Sequence, residues 1–469
     1  MRECRAGAGS EGVRGAWRRV LSFLVGGCSR PPSCSVLFGA WRGGGWLTGK
    51  QRQGKRGEVD LRKVARALRP VRKPPVKDGI ARVQEGIQRK GWPADVVLGG
   101  SVAKNTALRG SHDVDLFVRF DPSFVSQEKV SLSDLLEQVV PPGAKRVHGS
   151  RDYFVWKHKG FTFEIVPVLR VSHWREAQNV TDLSPLHVAY VKGHLEKRPF
   201  LADEIRLAKR WCQAQRVYGA ESYISGLSGH VLDVLIIHYG SFLAFLRAAS
   251  AWEPPVVIDV EGHGTAVGLN QAKKHSPLIV IDPLQPDRNA AAALSPQVFQ
   301  KIKKAAAAFI ARPSQRAFTI VHLTPSRIWK RHPDALVVEL VGKDEKEDVA
   351  GAKCRKVYEF LTRQLRLHGF RVVETDWEFR FPRAVLFWVV APRRLGRVMT
   401  VQGPPVSQEA AALKFQAKHK DVFRVGRRWF AREPRVFTTP RQLIASLVGA
   451  EEVAGRVAAA RVVRRPRRS

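Results

Sequence analysis

Residues 99–120 read GGSVAKNTALRGSHDVDLFVRF. The apolar run Val96-Val97-Leu98 leads into Gly99-Gly100-Ser101, and a helix-like segment follows. A strand that ends in a Gly-rich turn at a helix N-terminus offers free backbone N–H groups and a positive dipole end, which suit phosphate. Asp113 and Asp115 stand two apart in Asp-Val-Asp-Leu-Phe-Val. In a strand such residues point to one face. Two carboxylates so close repel each other unless a divalent cation lies between them, which is how carboxylates hold Mg²⁺ beside substrate phosphates. Phosphate and metal groups within one short unit predict a nucleotidyl-transfer site. A Gly-Ser turn followed by a solvated acidic pair is the plainer alternative, and this stretch alone leaves it open.

The wider composition narrows the choice. The chain has 469 residues, 44% of them hydrophobic, which allows three or four domains with sizeable cores. Lys and Arg number 79 against 42 Asp and Glu, a formal charge of +37. Such an excess predicts a polyanionic partner, because Lys and Arg displace the counterions of phosphates. A membrane surface is the other common anion, but no apolar run reaches the roughly 18 residues needed to span a bilayer. Five scattered cysteines without CxxC spacing argue against a disulfide framework or a zinc site. A reducing, cytoplasmic setting is the simpler expectation.

The stretch GSVAKNTALRGSHDVDLFV resembles the archaeal-type (class I) CCA-adding tRNA nucleotidyltransferases, within the DNA polymerase beta-like superfamily. Those enzymes carry a GSYARNT…GS-E-I-D-x-F-like pattern. The resemblance implies a third carboxylate in a V-x-V-D-V-V-P-like strand, and Phe161–Val168 here reads FTFEIVPV. A lone Glu inside an apolar strand is costly to bury without a partner. Glu164 would then complete a catalytic, metal-binding set with Asp113 and Asp115, holding Mg²⁺. The family usually has Glu where this chain has Asp113, and Asp where it has Glu164. Both departures keep the charge and change the reach by one methylene.

The resemblance also implies nucleotide contacts at Ser101, Lys104, His187, Lys209 and Tyr218. Hydroxyl, ammonium and phenol groups are donors, and a triphosphate offers only acceptors. Taken alone, Lys209 is one base among many, and His187 is as readily a structural histidine. Further on, VIDPLQPDRNAAA (residues 280–292) resembles the family's V-D-P-V-D-x-x-R-N-V-A-A segment, whose Arg helps hold the incoming base. Arg288 is the matching residue. It sits beside Asp287 in a segment expected to enter an Ala-rich helix after Asn289. A guanidinium donates to C O2/N3 and to A N1 and is rejected by an edge that presents N–H. CTP and ATP would therefore be accepted together. Gly426–Arg432 (GRRWFAR) and Phe437–Pro440 (FTTP) resemble the tail that grips the tRNA acceptor and T arms. Arg427, Arg428, Trp429 and Arg432 are the implied RNA contacts, bases interleaved with aromatics.

The expected fold is α+β and multidomain. Residues 1–57, with only Glu3 and Glu11 as acids, read as a basic extension or as a start assigned too far upstream. Residues 58–185 form a polymerase-beta-like nucleotidyltransferase head. Residues 186–312 form a central helical nucleotide-binding domain, in which Gly229–Arg247 reads as one apolar core helix. Residues 313–395 form a small βαββ body, similar to the family's RNA-recognition-like body. Its strands lack the paired aromatics of a base-reading module. Residues 396–450 form a tRNA-binding tail, and 451–469 a disordered basic arm. The expected activity is template-independent addition of the tRNA 3′ CCA end from CTP and ATP. Poly(A) polymerase or oligoadenylate synthetase, which share the head motif, and an inactive RNA-binding relative are the alternatives. Monomer and homodimer stay open.

Overall fold

The computed structural model describes residues 59–466. The extension expected over 1–57 lies outside the described residues. Helix α1 (Leu61–Leu68) starts at Asp60, whose side chain accepts from the Lys63 amide, and α2 (Val76–Lys90) stops at left-handed Gly91. Strand β1 (Ala94–Leu98), the single turn α3 (Gly100–Ala103) and strand β2 (Asp113–Phe120) follow. Helices α4 (Pro122–Glu128) and α5 (Leu132–Glu137) lead to β3 (Lys145–Val147), β4 (Tyr153–His158) and β5 (Phe161–Leu169). The β4–β5 turn has Lys159 and Gly160 at positive φ, 49° and 80°. That sense of turn matches the twist of the strands it joins.

These strands form one sheet in the order β1-β2-β5-β4-β3. β2 and β5 run parallel, with Asp115 opposite Glu164, and the other neighbours are antiparallel. The strand period of two then sorts the side chains. Val114, Leu116, Val118, Phe163 and Ile165 are buried against Val83 and Ile87 of α2 and Leu135 and Leu136 of α5. The opposite face carries Asp113, Asp115 and Glu164, with Phe117, Val166 and the Asp95–Arg119 pair farther along it.

The central domain is helical: α6 (Ser184–Lys197), α7 (Leu201–Ala214), α8 (Gly229–Tyr239), α9 (Phe242–Ala251), α10 (Gln271–Lys274) and α11 (Pro296–Ala311). A short parallel pair, β6 (Val256–Ile258) and β7 (Leu278–Val280), completes it. Trp211, Phe242, Phe245, Phe299 and Phe309 fill its core. Two expectations are corrected here. The single helix over 229–247 is broken: Gly240 turns left-handed, the Ser241 side chain caps α9, and the two helices meet at 96°. No single helix among the described residues is long and apolar enough to cross a membrane. The Ala-rich stretch after Asn289 is a set of turns, and the helix begins only at Pro296, capped by Ser295. Asn289 explains the delay, since its side chain accepts from the amides of Val280 and Ala291. Such local bonds compete with the helical ladder.

After α12 (Pro325–Arg331) come β8 (Leu336–Val341), α13 (Glu347–Leu367), β9 (Arg371–Arg380) and β10 (Arg383–Ala391), the expected βαββ order. The tail is a three-stranded sheet, β11-β13-β12, from β11 (Val398–Pro405), β12 (Asp421–Val425) and β13 (Arg428–Pro434), with α14 (Glu409–Lys418) between β11 and β12. Helices α15 (Pro440–Leu447) and α16 (Glu451–Ala454) then lead the chain back to the body. Its last strand, β14 (Ala459–Val462), pairs with β8, giving the sheet order β14-β8-β10-β9.

The disordered arm expected over 451–469 is therefore corrected for the described residues. Ala460 and Val462 pack on the body core, and Arg461 on the other face reaches Glu339 Oε2 at 2.6 and 2.9 Å. The run of arginines beyond hides this alternation in the sequence. Arg216 ties the central domain to the body by pairing with Asp376 and donating to the Trp377 carbonyl at 3.0 Å. Truncation after Ala458 should expose the β8 edge and lower the melting temperature by about 2–4 °C per kcal/mol lost. Calorimetry of the full and truncated chains checks this, and an unchanged Tm would make β14 an ornament.

Candidate active site

Asp113, Asp115 and Glu164 share one face of the head sheet because β2 and β5 are parallel neighbours in this register. None of the three has a Lys, Arg or His partner within 4.0 Å among the described residues, although the chain carries 79 Lys and Arg. Burial raises the Asp115 carboxyl, and the Asp113 charge raises it further against the pull of Lys104. Burial, then Asp115 and Asp113, push Glu164 up to about 7. These are the signs of like charges held together without a counter-ion. A hard divalent cation with oxygen ligands fits this donor set.

The turn before β2 is shaped around these acids. Gly100 has φ +57°, and a Cβ there would lie 1.7 Å from Asp115 Oδ2. Only glycine permits so close an approach of backbone to carboxylate. Beyond α3, the loop 105–111 is held by Arg206 of α7. Its guanidinium donates to the Asn105 and Ala107 carbonyls at 2.5 and 3.0 Å and to Asp203 at 2.7 Å. Arg206 is buried. The sequence reading passed over it among so many bases.

The expected nucleotide residues divide between two neighbouring cavities that meet at α3. One, of about 450 Å³, is lined by Ser101, Thr106, Asp113, Lys209, Arg210 and Tyr218. The other, of about 270 Å³, is lined by Gly100, Lys104, Thr181, His187, His230 and Arg288. Lys104 and Lys209 converge on Asp233 of α8, at 2.5 and 3.5 Å, and Lys209 also donates to Thr106 Oγ1 at 2.9 Å. His187 is buried, with Nε2 at 2.8 and 3.0 Å from the two Asp282 oxygens. Arg288 is held by Asp282, at 2.9 Å, and not by its neighbour Asp287, which pairs with Lys273. That corrects the expected support of Arg288. His230 lies 3.6 Å from Asp282, and its ring is 4.4 Å from that of His187. Burial would raise Asp282, but the hydrogen bond from His187, with His230 close by, holds it well below the usual carboxylate range.

The expected RNA contacts lie apart, on the tail sheet. Arg427 and Arg432 are exposed, and the Arg432 guanidinium sits 4.8 Å from the Phe423 ring centroid. Arg428 is half-buried and donates to the Gly403 carbonyl at 3.1 Å, so part of its bonding serves the sheet itself. Trp429 is half-buried.

A carboxylate set on a mixed sheet, a glycine turn at its edge and a cleft of donors against a helical domain define a nucleotidyltransferase. Residues 80–208 match the nucleotidyltransferase domain family, 203–319 the second domain of tRNA nucleotidyltransferase, and 336–464 the C-terminal domain of the CCA-adding enzyme. The chain is 32% identical over 347 residues to the CCA-adding enzyme of Halobacterium salinarum, covering 72% of this chain and 75% of that one. It is 32% identical over 339 residues to that of Nanoarchaeum equitans, covering 70% and 81%. A crystal structure of the Cid1 poly(U) polymerase aligns with a TM-score of 0.44 and 14% identity, over 56% of this chain and 98% of that one. At that level the likeness bears on no residue's role. The chain belongs to the archaeal-type, class I CCA-adding enzymes, which are tRNA nucleotidyltransferases. Its substrates are accordingly tRNA, CTP and ATP.

Gly100 gives a direct check of the site's construction. Gly100→Ala forces Asp115 or the turn to move, and displacement by an ångström costs about a hundredfold in rate. Steady-state assays with CTP should show kcat/KM down by that factor, with the far-ultraviolet spectrum unchanged. Near-normal activity would mean that the Asp115 position is unimportant.

Proposed function

We propose that CCA addition takes place at the Asp113–Asp115–Glu164 face, with Mg²⁺ held by those three carboxylates. The observation that carries the reading is that three adjacent acids, two of them with raised pKa, have no Lys, Arg or His within 4.0 Å among the described residues of a strongly basic protein. A pair of Mg²⁺ ions bound there would neutralise the triphosphate and leaving pyrophosphate and help activate the RNA 3′-OH. The protein's own part is positioning and charge, which is most of what phosphoryl chemistry asks of it. Ser101, Lys104, Lys209 and Tyr218 donate to the triphosphate across the α3 turn. His187 orients Asp282, and Asp282 orients Arg288 toward the base. Arg427 and Arg432 contact tRNA phosphates, with Trp429 beside them.

Asp115→Ala should abolish extension of tRNA lacking its CCA end while leaving tRNA affinity nearly unchanged, because binding rests on distant basic surface. Filter binding and an extension assay with one labelled nucleotide at a time measure both. Substantial residual extension would remove Asp115 from the metal site.

Arg288 is tested through nucleotide choice. Asp282 takes one of its donors, and the rest stay free for a base edge that accepts. Each charge-assisted bond lost in Arg288→Ala costs roughly 1.5–3 kcal/mol. CTP and ATP use should therefore fall by about ten- to a hundredfold per bond, with UTP and GTP affected less. The comparison is kcat/KM for all four nucleotides on tRNA ending before, within and after the two cytidines. An equal loss for all four would assign Arg288 to phosphate or to structure.

A further inference from the structure

We infer that Asp233 is a positioning residue that sets the two ammonium groups of the triphosphate site in place. It does so from outside the head, since α8 belongs to the central domain while Lys104 closes α3 of the head. Asp233 is wholly buried in a helix whose other core positions, Val231, Leu232, Val234, Leu235, Ile236 and Ile237, are apolar. A carboxylate is costly to bury there unless it is paired. Its Oδ2 lies 2.5 Å from Lys104 Nζ and its Oδ1 3.5 Å from Lys209 Nζ. No other Lys or Arg lies within 4.0 Å of it among the described residues. Lys209 is itself buried on α7, with Thr106 Oγ1 at 2.9 Å as its hydrogen-bond partner.

The arrangement answers an electrostatic problem. Two ammonium groups brought together in a desolvated cleft repel each other, and burial lowers the pKa of Lys209, with Lys104 adding to the effect. Asp233 opposes both tendencies, because one carboxylate faces two cations and leaves a net positive charge for the triphosphate. Each ammonium has three donors, so a bond to Asp233 leaves others for phosphate oxygens. Because Asp233 and Lys104 lie on different domains, the same contact fixes the α3 turn against α8. This role rests on the reading of Lys104 and Lys209 as triphosphate contacts.

The test is Asp233→Asn in the full chain, assayed for CTP, ATP and tRNA separately and for inhibition by inorganic tripolyphosphate. Loss of the charge should raise KM for CTP and ATP by the same factor, about tenfold or more, as expected for a weakened charge-assisted contact. Tripolyphosphate inhibition should weaken in parallel, KM for tRNA should stay put, and Asp233→Glu should recover most of the nucleotide affinity. An unchanged nucleotide KM, or an equal loss toward tRNA and nucleotide, would overturn the assignment. Lys104→Met and Lys209→Met separate the two layers of the argument. If they leave nucleotide KM unchanged, the triphosphate reading fails. If they raise it and Asp233→Asn does not, only the role of Asp233 fails. Should Asp233→Asn not fold, the double variant Lys104→Met with Asp233→Asn removes acid and base together. Its effect on nucleotide KM should be less than additive with the Lys104→Met effect and a tenfold Asp233 term, and full additivity would overturn the proposal.

Discussion

The parallel pairing of β2 with β5 is the constraint on which the rest of the molecule depends. Parallel neighbours need a crossover, and here α4, α5, β3 and β4 supply it, with β4 returning to the far side of β5. The register that results puts Asp115 opposite Glu164 and leaves Asp113 one step along the same face. Each of these three acids therefore has another acid as a neighbour. The apolar residues between them point the other way and bury the helices that hold the sheet rigid. The site's negative charge and the head's core come from one alternation.

Facing that negative surface, the central domain supplies positive charge in buried and partnered form. Arg206 secures the loop 105–111, Lys209 holds Thr106, and Asp233 draws Lys104 and Lys209 to one point. Asp282 likewise joins two side chains, with His187 on one side and Arg288 on the other. His230 and Asp233 stand three apart on α8, and residues at that spacing share a helix face. One helix thus stands behind both cavities.

Much of this was legible in the sequence, and the part that was not had a common cause. Asp113, Asp115 and Glu164 announce themselves because charge breaks an apolar strand pattern. The same signal was present at Asp233, a single acid inside GHVLDVLIIHY, but a helix apolar nearly all round reads as mere core. Arg206 was hidden by abundance, since nothing local separates one arginine from 78 other bases. The sequence offers Asp287, one residue away, as the support of Arg288, whereas a turn brings Asp282 back to it across six residues. The strand β14 was lost beneath its arginines. In each case the missing information is a contact across domains or across a turn, which sequence spacing does not carry.

The exchange of acid lengths becomes intelligible in the same frame. Where related enzymes carry a longer acid on the first strand and a shorter one on the third position, this chain has Asp113 and Glu164. Both belong to adjacent parallel strands, and the Asp115 between them is unchanged. A methylene removed at 113 withdraws one carboxylate toward β2, and a methylene added at 164 advances the other from β5. The number of carboxylates that would hold an ion there stays at three, with reach moved from β2 to β5. The turn at Gly100 crowds Asp115, which leaves that carboxylate little room to move. The two departures thus fall on one face of adjacent strands, with Asp115 held in place beside them by the close approach of Gly100.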